Sequence, residues 1–442
     1  MENVMKTRFL IPFLLAALFV GATSIPLAAQ QKNDKANQFK IPATDEGLPG
    51  TGPIRRYGWF QKLWQEKRSR WATEVEKDQD AVVFLGDSIT QGWGDNLDGS
   101  FGDMKVANRG ISGDTTRGML LRLKGDVLAL NPKAVVMLMG TNDLEEKAEP
   151  ETIAANVKLI VNALKKHDAK MPIILCKVFP SSATKSRPAE KIKKVNELCA
   201  ATVKGDPQIV VLETWQLFAD KSGDAQKAEF PDLLHPNKAG YAMWAAAMRP
   251  IFATLGFLET ESDDFKLEPG FESLFNGKDL SGWGFRTRRN RKGKVSGENV
   301  TFDGKTASDD GRYLAINGRL VVTTPPEGRR VQQLWTTRQF PKDFVLKLEF
   351  RATPYADSGV FIRTPQLQCR DYRLAGPYTE LKKYVPQGWN EMIVTVKGEV
   401  AHCTCNGEVL NKALAVPATG GIGLEGDRGQ MEYRRIRIKE LP

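Results

Sequence analysis

Two short stretches of the sequence carry residue types that can hydrolyse an ester. Ser88 ends the motif Gly86-Asp87-Ser88, which follows an apolar run, and Asp232 precedes His235 by three positions. A serine hydroxyl is a poor nucleophile near neutral pH, but a neighbouring imidazole can take its proton and pass it to the leaving alcohol. A carboxylate on the same side of a turn can fix the imidazole tautomer. We therefore predict Ser88 as the nucleophile, His235 as its base and Asp232 as the residue that orients His235.

The other two histidines of the chain lack this arrangement. His167 stands in the charged end of a predicted helix, where side chains are usually solvated, and His402 stands on a predicted strand. A surface or core position is the simpler interpretation of both. His235 is thus the histidine that the sequence favours for chemistry.

Two further stretches offer N–H groups to a developing oxyanion. The loop 108–116 contains two glycines, Gly110 and Gly113, and Asn142 follows another apolar run in Gly140-Thr141-Asn142-Asp143. Backbone amides and a carboxamide can stabilise the charge on the carbonyl oxygen, and each such donor lowers the barrier by roughly 3–4 kcal/mol. Asp114 has a simpler interpretation, as a cap of the helix that Thr115 and Thr116 open.

The first half of the chain alternates between apolar runs and helix-length segments. The runs lie at 81–85, 134–139, 172–179 and 208–212, and the helical segments lie around 115–130, 151–168, 187–204 and 237–255. An amphipathic helix is also predicted over 57–77. Continuous apolar strands separated by helices indicate a parallel sheet covered on both faces, with ligands at the carboxyl ends of its strands. We predict a doubly wound α/β domain over 51–258.

The four polar stretches occur in the order and spacing of the SGNH, or GDSL, hydrolase family, which residues 80–258 resemble. The resemblance implies a flavodoxin-like sheet and a catalytic triad of Ser88, Asp232 and His235. It also implies an oxyanion hole made by the Ser88 amide, the Asn142 side chain and a loop glycine. Gly113 is the first choice for that glycine and Gly110 the competing one. Ester hydrolysis of this kind requires neither a metal nor an organic cofactor.

The character of the sequence changes after residue 258. An acidic linker over 259–266 is followed by short alternating runs at 319–323, 344–350, 359–363, 391–396, 421–424 and 433–438. Alternation with a period of two, interrupted by glycine, proline and asparagine, indicates an antiparallel β-sandwich. We predict this second domain over 267–442.

The second half resembles the 3-keto-disaccharide hydrolase domain family. The resemblance rests on residues 271–283, 358–363, 388–390, 421–425 and 431–438. It implies a concanavalin-like jelly roll whose concave sheet faces carbohydrate. Arg363, Trp283 and Trp389 become candidate sugar contacts, although core packing is favoured for the two tryptophans. In the first half, Trp93 lies near the nucleophile in the sequence and either flanks the substrate cleft or packs in the core.

The chain departs from that family just after residue 363. Where the family usually carries an acidic strand and a long loop, this sequence reaches Trp389 quickly. Glycoside hydrolysis commonly needs two well-placed carboxylates, and nothing in the spacing singles out Asp371 and Glu380. We therefore expect glycan binding rather than glycoside cleavage from this half.

The N-terminal residues indicate export. Lys6 and Arg8 precede an apolar run over 9–20 that is shorter than a membrane span. This pattern is typical of a signal peptide, which we predict over 1–29, followed by a polar tether over 30–50. We expect a periplasmic or extracellular protein without stable membrane insertion of the mature chain.

Charge indicates which binding partners are expected, and cysteine spacing indicates which disulfides could form. The net charge of +10 is spread along the chain except for a basic run at 286–294. A solvated loop is the usual role of such a run, and contact with an anionic polymer is the alternative. Because we predict export, we expect no nucleic acid partner. Cys369 can pair with Cys403 or Cys405, or the thiols can remain free and buried.

Three functions fit these patterns. The first is an exported esterase that removes acetyl or other small acyl groups from carbohydrate while the second domain holds the glycan. The second is a lipid or general esterase similar to the platelet-activating-factor acetylhydrolases. The third is a glycan-binding or (3-keto-)glycoside-cleaving protein in which the esterase half is secondary.

Overall fold

The computed structural model describes residues 39–258, 264–289, 295–323, 331–371 and 376–442. The predicted signal peptide, part of the tether, part of the acidic linker and the second half of the basic run lie outside the described residues. Within the described ranges, no helix combines the length and the apolar character that crossing a bilayer needs.

The first domain is built on five strands: β1 (Val82–Gly86), β2 (Val106–Gly110), β3 (Ala134–Leu138), β4 (Ile173–Cys176) and β5 (Ile209–Leu212). Its helices are α1 (Gly58–Thr73), α2 (Ser88–Gln91), α3 (Thr116–Asp126), α4 (Thr141–Glu145), α5 (Pro150–His167), α6 (Ala189–Thr202), α7 (Thr214–Phe218) and α8 (Lys238–Thr254). All strand pairs are parallel, in the order β2-β1-β3-β4-β5. The predicted doubly wound α/β architecture is confirmed.

The strands are buried on both faces because each contributes to two cores. Val83 and Leu85 of β1 pack into one apolar cluster, whereas Val82 and Phe84 pack into another. Successive strand residues point to opposite faces, so a strand between two helical layers must be apolar throughout. This explains why the strands appear in the sequence as unbroken apolar runs.

The strand order determines where a site can form. From β1 the chain moves to β2 at one edge and then returns to β3 on the other side of β1. In such a sheet the loops that follow the two central strands diverge, which opens a crevice at their carboxyl ends. Ser88 follows β1 and Asn142 follows β3, so both candidates lie at that crevice.

The second domain consists of antiparallel strands in two main sheets. The strands are β6 (Glu272–Ser273), β7 (Trp283–Phe285), β8 (Arg288–Arg289), β9 (Val295–Ser296), β10 (Val300–Thr301), β11 (Tyr313–Ile316), β12 (Arg319–Val322), β13 (Gln332–Thr336), β14 (Phe344–Ala352), β15 (Asp357–Arg363), β16 (Gln366–Arg370), β17 (Asn390–Lys397), β18 (Val400–Cys405), β19 (Glu408–Ala415), β20 (Gly421–Gly426) and β21 (Met431–Glu440). The six-stranded sheet has the order β10-β7-β13-β20-β15-β16, and the eight-stranded sheet has the order β11-β12-β21-β14-β17-β18-β19 with β6 paired to β21. The predicted β-sandwich is confirmed.

The three predicted sugar contacts of this domain already make contacts within the protein. Trp283 is fully buried, and its Nε1 donates to the Leu274 carbonyl at 2.7 Å. Arg363 is 3% exposed and donates to the carbonyls of Phe340, Lys342, Gly398 and Pro417. The guanidinium groups of Arg351 and Arg434 lie 4.7 and 4.1 Å from the Trp389 ring. Sugar contact is therefore wrong for Arg363, whereas for Trp283 the favoured interpretation, core packing, is confirmed. Trp389 belongs to a cation–π cluster.

The two candidate carboxylates of this half differ in exposure. Asp371 is buried and accepts a hydrogen bond from the Tyr355 N–H at 3.0 Å. Glu380 is exposed and ends a short 3₁₀ helix, Gly376–Glu380. Asp371 thus holds a turn of the backbone.

All five cysteines are buried free thiols. Cys403 and Cys405 share the inward face of β18, and Cys369 lies in the same core. Of the two alternatives, the free-thiol interpretation is the one that the structure confirms.

Candidate active site

A tight turn brings Ser88 to the end of β1. Asp87 caps α2, because its Oδ1 accepts a hydrogen bond from the Ile89 N–H at 2.9 Å. The turn depends on Gly110 in the neighbouring strand, since a Cβ there would lie 2.2 Å from the Gln91 backbone nitrogen. The serine therefore stands at the first position of a helix, above the carboxyl edge of the sheet.

The three predicted triad residues come together. His235 Nε2 lies 3.0 Å from Ser88 Oγ, and His235 Nδ1 lies 2.8 Å from Asp232 Oδ2. The other carboxylate oxygen, Oδ1, accepts hydrogen bonds from the N–H groups of Leu234 and His235 at 3.0 and 2.7 Å. Asp232 thus holds both the backbone of the turn and the imidazole ring.

Asp232 is held in its charged form. Partial burial raises the pKa of this carboxyl, but hydrogen bonds from the His235 N–H, the His235 ring and the Leu234 N–H outweigh it and lower the pKa to about 2. A carboxylate that remains ionised can stabilise an imidazolium on His235. The chain of contacts is therefore arranged for proton transfer from Ser88 to His235.

The two competing glycines differ in what their N–H groups do. The Gly110 N–H donates to Asn108 Oδ1 at 2.9 Å, so it is already used. Gly113 adopts a φ of +85°, which favours glycine. Among the described residues, neither the Gly113 nor the Ser88 N–H has an acceptor. The geometry favours Gly113 over Gly110 as an oxyanion donor.

Asn142 is oriented by its neighbours. Its Nδ2 donates to the Asp114 carbonyl at 2.9 Å, and its Oδ1 accepts from Arg187 Nη2 at 3.2 Å. Arg187 is buried and is itself fixed, because its Nε donates to the carbonyl and hydroxyl oxygens of Thr141, both at 3.0 Å. With Oδ1 bound to a cation, the amide must present its N–H groups on the other side. The sequence carried no signal for Arg187, which lies far from the motif blocks.

Three buried carboxyls lie beneath the site. Asp114 pairs with Arg122 at 2.7 Å, and Asp143 accepts hydrogen bonds from the N–H and hydroxyl of Thr116. The predicted capping role of Asp114 is wrong, since Thr115 caps α3 by accepting from the Gly118 N–H.

Asp87 Oδ2 is buried with no hydrogen-bond partner in the described part of the chain. Burial raises the pKa of Asp87 to about 6.

Trp93 packs in the core. It is 2% exposed, and its ring stacks on Trp244 and Tyr241 with centroids 4.6 and 5.2 Å apart. The alternative of a substrate contact is therefore wrong for this residue. His167 and His402 are exposed.

Comparison with known proteins agrees with both resemblances. The model of the GDSL-like lipase/acylhydrolase family matches residues 84–243. The model of the 3-keto-alpha-glucoside-1,2-lyase-like domain, the 3-keto-disaccharide hydrolase family, matches residues 270–439. The chain joins a GDSL-like acylhydrolase domain to a 3-keto-disaccharide hydrolase-like domain.

The GDSL-like domain also has curated and solved relatives. It is 28% identical over 199 residues to platelet-activating factor acetylhydrolase IB subunit alpha1 of Pongo abelii, covering 43% of this chain and 84% of the relative. Subunit alpha2 of Homo sapiens is 28% identical over 214 residues, covering 47% and 86%. A solved GDSL-like lipase of Bacteroides thetaiotaomicron matches 42% of this chain and 97% of its own, with 27% identity and a TM-score of 0.38. The match of residues 84–243 to the GDSL-like lipase/acylhydrolase family supports a hydrolase activity of the esterase kind for this domain.

Arg187 should act on the rate through Asn142. Arg187→Lys loses the planar fork that bonds Thr141 and Asn142 together, so the amide is no longer held. We expect kcat for ester hydrolysis to fall about 10- to 100-fold with a much smaller change in KM, as for partial loss of one oxyanion donor. Steady-state kinetics on a small acetate ester measures both constants.

The Asn142→Ala variant separates positioning from a general loss of structure. If Arg187 works through Asn142, the double variant should be no slower than Asn142→Ala alone. Multiplicative losses in the double variant would contradict the assignment. Thermal unfolding of each variant reports its stability alongside.

Asp87 should make stability depend on pH. Because its pKa is raised from 3.8 to about 6, the folded protein keeps a proton that the unfolded chain releases. The stability from this carboxyl is complete below about pH 4 and is lost as the pH rises through about 6. Asp87→Asn removes this titration. Between about pH 4 and pH 6, the free energy of unfolding of the variant should therefore rise by about 2 kcal/mol relative to that of the wild type.

Chemical denaturation at several pH values tests this expectation. The exposed carboxyl of Asp98 provides a control, and Asp98→Asn should keep a constant offset from the wild type. An Asp87→Asn offset that is equally independent of pH would contradict the raised pKa.

Proposed function

We propose that the GDSL-like domain is a serine esterase in which Ser88 is the nucleophile, His235 the base and Asp232 the residue that orients His235. The observation that carries the proposal is the continuous contact Ser88 Oγ–His235 Nε2–His235 Nδ1–Asp232 Oδ2, at 3.0 and 2.8 Å. Such distances are within hydrogen-bond reach for proton transfer.

The reaction proceeds in two halves. Ser88 Oγ forms a bond to the ester carbonyl carbon while its proton passes to His235 Nε2, and the alcohol leaves with that proton. Water then attacks the acyl-serine, loses its proton to the same nitrogen, and the acid leaves as Ser88 regains a proton. In both halves the carbonyl oxygen becomes negative and is received by the N–H groups of Ser88, Gly113 and Asn142.

We infer that the substrate is carbohydrate bearing acetyl or other small acyl groups. The supporting observation is the combination of an acylhydrolase domain with a domain that matches the 3-keto-alpha-glucoside-1,2-lyase-like family. The curated relatives are acetylhydrolases, which favours a small acyl group. Their named substrate is a platelet-activating factor, so a lipid ester is the competing proposal. The apolar run over 9–20 supports export of this activity.

A glycan site in the second domain is proposed on the outward face of the six-stranded sheet. A cavity of about 410 Å³ there is lined by residues of β7, β10 and β13, including Trp335, and by Arg286, which directly follows β7. The Arg286 guanidinium lies 4.7 Å from the Trp335 ring, and Phe361 lies 5.1 Å from it. Gly423 between the two aromatic residues leaves the space that the Trp335 ring covers, since a Cβ there would be 2.8 Å from that ring. An aromatic face beside a cation and polar side chains suits a sugar ring.

Cleavage of a glycosidic bond on this face is the alternative. Glu425 lies on β20, two residues after Gly423. Burial raises the pKa of the Glu425 carboxyl, and it also raises the pKa of Asp427. A raised pKa favours the protonated carboxyl that a general acid requires. Glycoside release by the Ser88→Ala protein would favour this function.

Ser88→Ala should abolish acetate release. Without Oγ no acyl-serine can form, so hydrolysis of an O-acetylated disaccharide should fall at least about 10³-fold. Release of acetate is measured directly, and Ser222→Ala, at an exposed serine, serves as the control. Unchanged release by Ser88→Ala would overturn the mechanism, and a strong preference for acyl chains beyond about eight carbons would instead favour the lipid proposal.

Trp335→Ala should weaken glycan binding without slowing hydrolysis of ethyl acetate. Loss of one stacking ring should reduce affinity about five- to tenfold. Affinity electrophoresis in gels containing polysaccharide compares the variant with Trp389→Ala, whose ring is already covered by guanidinium groups. Equal retardation of both variants would remove the site from this face.

A further inference from the structure

Two aromatic side chains stand exposed at the start of α1. Tyr57 is 52% exposed and Trp59 is 55% exposed, and they are the aromatic members of the exposed large apolar side chains in the described ranges. Their rings are nearly parallel, with an interplanar angle of 15° and centroids 6.4 Å apart. We refer to these two residues as the aromatic platform. Both precede residues 84–243, the part of the chain that the acylhydrolase family model covers.

The platform lies against the candidate oxyanion loop. A Cβ on Gly113 would stand 2.7 Å from Trp59 Cη2, so the indole covers the space that this glycine leaves open. From below, the buried ring of Phe60 meets Trp59 edge to face at 5.7 Å. Trp59 is thus held by contacts on two sides while much of its ring remains in solvent. An exposed aromatic ring that is fixed in place loses little conformational entropy when it binds a partner.

Charged groups link the platform to the residues that hold Asn142. The Arg55 guanidinium bonds Glu145 and also Glu146, the latter at 2.7 Å from Nε. The Tyr57 hydroxyl lies 3.3 Å from both Glu146 carboxylate oxygens, and Arg187 bonds Glu145 at 2.8 Å. Aromatic faces and hydrogen-bonding carboxylates therefore occur side by side at the edge of the same site.

We propose that the aromatic platform is the subsite for a sugar ring on the alcohol side of the scissile ester. The proposal rests on the proposed esterase function and assigns its substrate recognition to Tyr57 and Trp59. A pyranose ring has an apolar C–H face that can stack on an aromatic ring and hydroxyl edges that can bond carboxylates. A lipid chain offers no groups for Glu145 and Glu146, so the polar border favours carbohydrate.

The position fits the direction of the reaction. The Gly113 N–H is one of the proposed oxyanion donors, so the ester carbonyl belongs beside Gly113. A sugar stacked on Trp59 would then reach the site from the side of that loop. The platform contributes to binding of the alcohol portion and leaves the chemistry of Ser88 unchanged.

Trp59→Ala tests the proposal by comparing two substrates. With O-acetylated cellobiose, kcat/KM should fall about five- to tenfold through a higher KM, because a stacking contact is lost. With ethyl acetate, which has no ring, kcat/KM should stay within about twofold of the wild type. Leu159→Ala removes another exposed apolar side chain, on α5 and 42% exposed, and should change neither value.

A binding measurement separates this inference from the proposed reaction. Calorimetric titration of Ser88→Ala with O-acetylated cellobiose should show affinity that a second Trp59→Ala change weakens about five- to tenfold. If the wild type hydrolyses no ester yet this dependence on Trp59 appears, the proposed reaction and the assignment to the alcohol side of a scissile ester both fall, and Trp59 remains only a contact for sugar. If the wild type hydrolyses both esters and Trp59→Ala behaves as Leu159→Ala does, the subsite is overturned and the reaction stands. Equal losses on both esters would also overturn it, since Trp59 would then act through Gly113.

Discussion

The contact between His235 Nε2 and Ser88 Oγ joins residues that are 147 positions apart in the chain. It can form only because β1 ends at the switch point of a parallel sheet, where the loops after neighbouring strands share one edge. A close backbone contact also shapes that edge, because Gly110, at the end of β2, leaves no room for a Cβ beside the Gln91 backbone. The helices and the two apolar cores serve to keep these loop ends in a fixed relation, so the geometry of the site is a property of the whole domain.

Much of this could be predicted from the sequence, because the signals are local. Continuous apolar runs predicted the parallel sheet of the first domain, and alternation with a period of two predicted the β-sandwich of the second. The motifs around Ser88, Gly113, Asn142 and His235 predicted which loops converge at the site. Assignments that depend on the surroundings of a long side chain could not be made in the same way. Trp93, Trp283 and Arg363 have the chemistry of ligand contacts, but burial and packing decide their roles, and neither is encoded in neighbouring positions.

The supporting residues of the site show the same division. Asn142 is recognisable from its position after a strand, whereas Arg187 is joined to it only by folding, across 45 positions. The residues Arg55, Glu145 and Glu146 form a border through ion pairs whose partners come from separate segments. Besides balancing charge, such ion pairs fix orientation, because the planar guanidinium group holds the carboxylate or amide that it bonds in a defined plane.

The five buried thiols have a consequence for how the chain matures. Disulfide formation requires a thiolate, and burial raises the pKa of Cys176, Cys199, Cys403 and Cys405 to about 12. Once the chain has folded, burial keeps these thiols protonated and therefore disfavours their oxidation. Before folding, the same thiols are ordinary and reactive. In an oxidising compartment, collapse of the two domains must therefore outpace the oxidation of their cysteines.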